Sequence, residues 1–163
     1  MGYTTEFDGC FTLDKPLDPA HVRYLHAFAN TRRMKRDPAI ADTFSDPIRQ
    51  NIGLPIGNEG EYFVGGSGPA GQGRDSSILN FNDSPGSQPG LWCQWVPNGD
   101  GTAIVWDGGE KFYNYVQWIK YLIEHFFVRW GYTLNGDVYW QGEDFNDRGI
   151  IMIRNNLVTS QES

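Results

Sequence analysis

The sequence predicts an α+β domain, a mostly antiparallel sheet with two helices packed on one face. Strand-like runs outnumber helical ones, and they follow the order β-α-β-β-β-β-α-β-β-β-β, without the regular alternation of a parallel α/β fold. Glycine fills 20 of 163 positions, against a usual share of roughly 7%. Aromatic residues make up 15% of the chain, a mixture that suits short strands joined by tight turns. The length fits a single domain over 1–163, with a loop insertion at about 34–60.

Each element has a local cause. From Tyr3 to Leu13 apolar and polar residues alternate: Thr5, Phe7, Gly9, Phe11 and Leu13 share one parity, which gives a half-buried strand. Gly9 marks a bulge or a close approach. Asp18 is a good N-cap and Pro19 suits the first helical position, so a helix is predicted over about 19–33, with Val22, Leu25, Phe28 and Ala29 on its apolar stripe. From Met34 to Gly60 three prolines and three glycines break the pattern, leaving an extended loop with a helical turn near Asp46–Asn51. Short strands follow at Glu61–Val64, Ile78–Phe81, Leu91–Val96 and Thr102–Trp106, the last two flanking the hairpin signal Asn98-Gly99-Asp100-Gly101.

The main helix is predicted from Glu110 to Trp130. Phe112, Val116, Ile119, Ile123 and Phe126 form its buried stripe, and Gly131 ends it. Asn135-Gly136 reads as a type I′ turn between Tyr132–Leu134 and Val138–Gln141. Asn155-Asn156 turns Gly149–Ile153 into Leu157–Thr159, and the last four residues fray.

Composition narrows the function. A net charge of −7 opposes binding to DNA, RNA or anionic membranes. The start of the chain lacks a signal-peptide pattern, no apolar run approaches the roughly 20 residues that span a bilayer, and Cys10 and Cys93 read as free thiols. The expected location is the cytoplasm.

No nucleophile elbow, zincin motif or P-loop is present, so no catalytic residue is assigned. His21 and His26 are five apart, off the spacing of a helical metal site, and neither a metal nor a cofactor is expected. Asp107 and Glu110 follow Trp106, and Glu143 and Asp144 follow Trp140, each at a strand end entering a glycine-containing turn. Such carboxylates serve as acid–base pairs or divalent-ion ligands, or more plainly as caps and turn residues.

The binding groups are better supplied. Trp92, Trp106 and Trp140 offer indoles for stacking, beside Gln94 and Gln141. Arg32, Arg33, Lys35 and Arg36 concentrate positive charge on an acidic chain, and Gln72 and Arg74 close a glycine-rich loop that begins at Gly65.

Gly2-Tyr3-Thr4-Thr5-Glu6-Phe7, Thr31-Arg32-Arg33-Met34, Gln88-Pro89-Gly90-Leu91-Trp92-Cys93-Gln94-Trp95, Trp106-Asp107-Gly108-Gly109-Glu110-Lys111-Phe112-Tyr113 and Trp140-Gln141-Gly142-Glu143-Asp144 run through most of the chain. In these motifs the chain resembles a family of small, largely uncharacterised proteins of bacteria and their phages. Residues 40–54 fit the family least. The resemblance implies no catalytic residue, but its phage association suggests, by analogy, capture of a nucleotide-derived host immune signal.

The expectation is therefore a non-catalytic, homo-oligomeric binder of a small nucleotide-like ligand. Arg32 and Arg33 contact its phosphate, Gln72 and Arg74 stand beside the backbone nest of the glycine-rich loop, and Trp92, Trp106 or Trp140 stacks. Gln94, Asp107, Gln141 and Glu143 orient its polar groups. A carboxylate- or metal-dependent hydrolase and a protein-interaction module are the alternatives.

Overall fold

The computed structural model describes residues 2–163. In chain order the elements are β1 (Thr5–Leu13), α1 (Pro19–Ala29), β2 (Lys35–Arg36), α2 (Pro38–Ala41), α3 (Pro47–Gln50), β3 (Ile78–Asn80), β4 (Trp95–Pro97), β5 (Ala103–Trp106), α4 (Tyr115–Leu122), α5 (Val128–Trp130), β6 (Leu134–Gly142), β7 (Arg148–Arg154) and β8 (Leu157–Glu162). A π-helical turn, Ile123–Phe127, joins α4 to α5. The chain forms two compact units, a sheet unit of Met1–Asp18 with Gln94–Ser163 and a middle unit of Pro19–Cys93.

The fold is α+β. The sheet unit holds six strands in the order β4-β5-β1-β6-β7-β8, every neighbouring pair antiparallel. Alternation in β1 sets the faces: Phe11 lies opposite Ile104 on one side and Gly136 on the other, and Phe7 lies opposite Trp140. Phe11, Ile104, Val138, Ile151 and Ile153 are buried on this inner face. Each such side chain contributes roughly 1.5–3 kcal/mol on leaving water. The outer face is polar and carries Glu6, Asp8, Tyr139 and the Arg154–Asp137 ion pair at 2.8 Å.

The main helix packs on the inner face. Trp95 donates from Nε1 to the Tyr115 carbonyl at 2.9 Å, and the Tyr115 ring meets Phe7 and Trp140 at centroid separations of 4.9 and 5.7 Å. The helix begins at Tyr115 and not at Glu110, because Lys111 and Asn114 take left-handed backbone angles of φ +59° and +57°. Phe112 is still buried, but as a residue of the preceding loop. Of the two helices, this one covers the sheet within its unit, and α1 belongs to the middle unit.

Asn135-Gly136 makes no turn; β6 runs through it unbroken from Leu134 to Gly142. Gly136 has φ +143°, and a Cβ there would meet the Cys10 carbonyl at 2.6 Å and the Phe11 Cα at 3.2 Å. The glycine serves a close approach of β6 to β1, as Gly9 does in reverse against the Asp137 carbonyl. The Asn155-Asn156 turn holds, with both residues at positive φ between Arg154 and Leu157. The strand after it continues to Glu162, past the expected fraying point.

In the middle unit α1 stops at Ala29, so Arg32 and Arg33 lie beyond the helix. Glu61–Val64 forms no strand, and Lys35–Arg36 pairs with the region Ile78–Asn80 as β2 and β3. The stretch 34–60 is built into this unit: α2 is capped by Asp37, whose side chain accepts from Ala39 N at 3.0 Å, and α3 occupies the expected helical turn. Arg49 of α3 is buried with Asp46, Nε to Oδ2 at 2.7 Å.

Candidate functional site

The residues proposed for ligand contact divide between the units. Arg32, Arg33, Gln72, Arg74 and Trp92 lie in the middle unit; Gln94, Trp106, Asp107, Trp140, Gln141 and Glu143 lie in the sheet unit.

In the sheet unit the strand-end motifs gather around one end of the inner face. Phe7 contacts Trp95, Trp106, Phe112 and Tyr115 at centroid separations between 4.9 and 5.7 Å, and Tyr115 passes the cluster on to Trp140. Edge-to-face pairs of this kind add about 0.5–1.5 kcal/mol each beyond burial. Trp106 and Trp140 thus share one aromatic cluster, as packing.

Most polar candidates of this unit are engaged internally. Trp106 Nε1 donates to Gln94 Oε1 at 3.1 Å, and Gln94 Nε2 donates to the Glu110 carbonyl at 2.8 Å. Asp107 Oδ1 accepts from Gly109 N at 2.8 Å, and burial raises its carboxyl above the ordinary aspartate value. Gln141 Nε2 donates to the carbonyls of Gly142, Asp144 and Phe145 and closes the β6–β7 turn. Glu143 accepts from Thr4 N, and the Tyr3 hydroxyl, donating to Asp147 at 2.7 Å, fixes the same turn. These groups shape turns and fasten the first strand. Trp140 differs: it is buried and, among the described residues, its Nε1 has no hydrogen-bond partner.

The carboxylates considered for a hydrolase lie in separate turns. Among the described residues no group of three or more His, Cys, Asp or Glu side chains is placed to hold a metal ion.

The middle unit sorts its candidates differently. Arg33, expected to face phosphate, is turned inward and 2% exposed. Its Nη2 donates to the carbonyls of Glu61 at 3.0 Å and Phe63 at 2.7 Å, and its guanidinium stacks on Phe28 at 4.2 Å. Arg36 is likewise buried, paired with Asp75 at 2.9 Å. The basic cluster is therefore largely internal scaffolding.

Arg32 and Arg74 behave otherwise. Their guanidinium carbons sit 4.4 and 4.3 Å from the centroid of the same ring, Phe81. Arg32 Nε donates to the Phe81 carbonyl at 3.0 Å and Nη2 to Asn82 Oδ1 at 3.3 Å. Partial burial lowers its proton affinity below the ordinary arginine value. Among the described residues neither arginine has a carboxylate partner. The glycine-rich loop closes beside them, with Arg32 N donating to the Ala70 carbonyl at 3.0 Å. Gln72 and Trp92 are half-buried, and among the described residues no hydrogen bond or ring contact engages either side chain. Trp92 lies outside any strand, although one was expected over Leu91–Val96, because β4 begins only at Trp95.

Sequence reasoning missed Phe81, the ring that brings the two arginines together. Its signal was an aromatic residue at the end of a short strand, with arginines 49 and seven positions before it. No family model, curated protein or solved structure matches this chain.

Proposed function

We propose that the chain binds a small nucleotide-like ligand without turning it over, and that Arg32 and Arg74 receive its phosphate. The carrying observation is the pair of guanidinium groups on Phe81, without a carboxylate between them, in a chain of net charge −7. Two cations held against one ring repel each other. An anion that bridges them removes the repulsion and gains charge-assisted hydrogen bonds, which arginine makes two at a time. Gln72 supplies an amide for a second phosphate oxygen or a ribose hydroxyl. Trp92, half-buried and without a ring partner, supplies a stacking surface for the base, an interaction of about 1–3 kcal/mol.

Capture without chemistry follows from the kinds of group assigned. Arginine, glutamine and tryptophan bind and orient, and none of them exchanges protons near neutral pH. The resemblance to bacterial and phage proteins makes a host immune signalling nucleotide the first ligand to test, with sequestration as the outcome of binding. Incubation with cyclic ADP-ribose isomers and cyclic dinucleotides, followed by heat denaturation and chromatography, tests this reading. The expected result is depletion of one compound from solution and its recovery intact after heating. Recovery of a converted product, or depletion of none, contradicts it.

A further inference from the structure

Four strands of the sheet unit place Phe7, Trp140, Gly149 and Glu162 opposite one another in a single cross-strand row. Because side chains alternate between faces, this row lies on the inner face, under α4. Gly149 leaves a gap in it. A Cβ there would overlap Cζ2 and Cη2 of Trp140, so the indole lies across the glycine. The edge leaning into the gap is the six-membered edge of the indole, and Cζ2 in it is bonded to the ring carbon that carries Nε1.

That N–H is buried and, among the described residues, has no hydrogen-bond partner. An unpaired buried donor costs roughly 1–3 kcal/mol, a cost that a ligand acceptor removes. Trp140 lines a groove of about 460 Å³, together with Tyr115, Gln117, Lys120, Ser160 and Glu162. The volume is within the range of small-molecule sites. The lining holds both donors and acceptors together with aromatic rings. Burial, aided by the fields of Asp147 and Glu162, pushes the Tyr115 phenol up to about 12 and keeps it a neutral donor and acceptor at physiological pH.

We infer that this groove is a second binding site, for a neutral hydroxyl-rich ring such as a free pentose or hexose. A carboxylate accepts two neighbouring ring hydroxyls, here at Glu162. The indole N–H and the Gln117 amide donate to ring or hydroxyl oxygens. The Tyr115 ring offers its face to the C–H side of the sugar. Phosphate is disfavoured, since the fields of Glu162 and Asp147 converge there and, among the described residues, Lys120 is the one cation lining the groove. An organic cation is disfavoured by that same lysine and by an N–H that needs an acceptor. The site is independent of the proposed phosphate contacts, which involve none of its residues.

Indole N–H resonances of the labelled protein, titrated separately with D-ribose, D-glucose, inorganic phosphate and choline, test the inference. The Trp140 signal is identified by its loss in Trp140→Phe. Saturable movement of that signal by a neutral sugar is expected, weakened about tenfold in Glu162→Gln by loss of a charge-assisted hydrogen bond. No movement with either sugar, or movement with phosphate or choline alone, overturns the assignment. If Trp140→Phe fails to fold, Ser160→Ala and Glu162→Gln, both at exposed positions of β8, carry the test through the sugar affinity itself. An unchanged affinity in both also overturns it. A failure here leaves nucleotide depletion untouched, so the two outcomes are read separately.

Discussion

At the scale of single residues, Asp75 sets an acid limit on the middle unit. Burial alone raises its carboxyl, but hydrogen bonds from Ser77 and the Arg36 guanidinium overcome this and leave it below the ordinary aspartate value of 3.8. A carboxyl depressed in the folded state contributes stability that is complete above that value and lost as pH falls below it, through the folded value. Chemical denaturation between about pH 6 and pH 2 is expected to show this loss, and Asp75→Asn to flatten it while lowering stability at neutral pH. Equal pH slopes in both proteins would contradict the account. Glycines give a second contrast. Gly136→Ala forces a Cβ into the β1 backbone at φ +143°, whereas Gly99 has nothing within 4 Å and no positive φ. Thermal melts are expected to show Gly136→Ala destabilised by more than about 1 kcal/mol and Gly99→Ala unchanged or slightly stabilised.

These residues also show what the sequence disclosed. Alternation made β1 legible, because a half-buried strand needs only its own residues to declare its faces. Asn155-Asn156 was legible as a turn for the same local reason. Asn135-Gly136 was not, because glycine in a close crossing of two strands looks the same as glycine in a turn. Arg33 misled for a different reason. Its partners are backbone carbonyls of Glu61 and Phe63, and carbonyls have no signature in a sequence. Glu162 and Ser160 were passed over as a fraying end, since their place opposite Gly149 and Ile151 depends on the register of β7 with β8.

At the scale of elements, the segment 34–60 looked like an insertion because its prolines and glycines interrupt every period. Two of those prolines, Pro38 and Pro47, instead start α2 and α3, each at the first helical position. Between them Asp46 is 1% exposed and accepts from Arg49 Nε at 2.7 Å and from Val64 N at 3.2 Å. Removing one partner of a buried ion pair strands the other, at a cost of about 3–5 kcal/mol. Asp46→Ala is therefore expected to lower the denaturation midpoint sharply, while Asp42→Ala, on the exposed side of the same arginine, changes it little. Similar midpoints for the two variants would mean that the segment is peripheral to its unit. In the main helix the buried stripe was legible, but its start was not. Lys111 and Asn114 hold left-handed conformations that helical periodicity does not foretell.

At the scale of the whole molecule, charge and chemistry pull in different directions. The chain is acidic overall, and no helix among the described residues is long and apolar enough to cross a membrane. Within that acidic chain most arginines of the basic cluster are spent on internal carbonyls and carboxylates. The pair on Phe81 is left with the capacity to meet an external anion. The binding proposed for it is expected to weaken with salt, as charge contacts do, and to respond to loss of either guanidinium. Lysine at position 32 or 74 restores charge but not the two-pronged geometry, so Arg74→Lys is expected to recover only part of the affinity.

The most direct measurement is isothermal titration of the nucleotide depleted from solution into the wild-type chain, Arg74→Ala and Arg33→Lys. The expected result is an affinity reduced at least about tenfold by Arg74→Ala, the size of one lost charge-assisted contact, with Arg33→Lys acting on stability more than on binding. Wild-type affinity in Arg74→Ala would contradict the central claim that the arginines on Phe81 hold the phosphate.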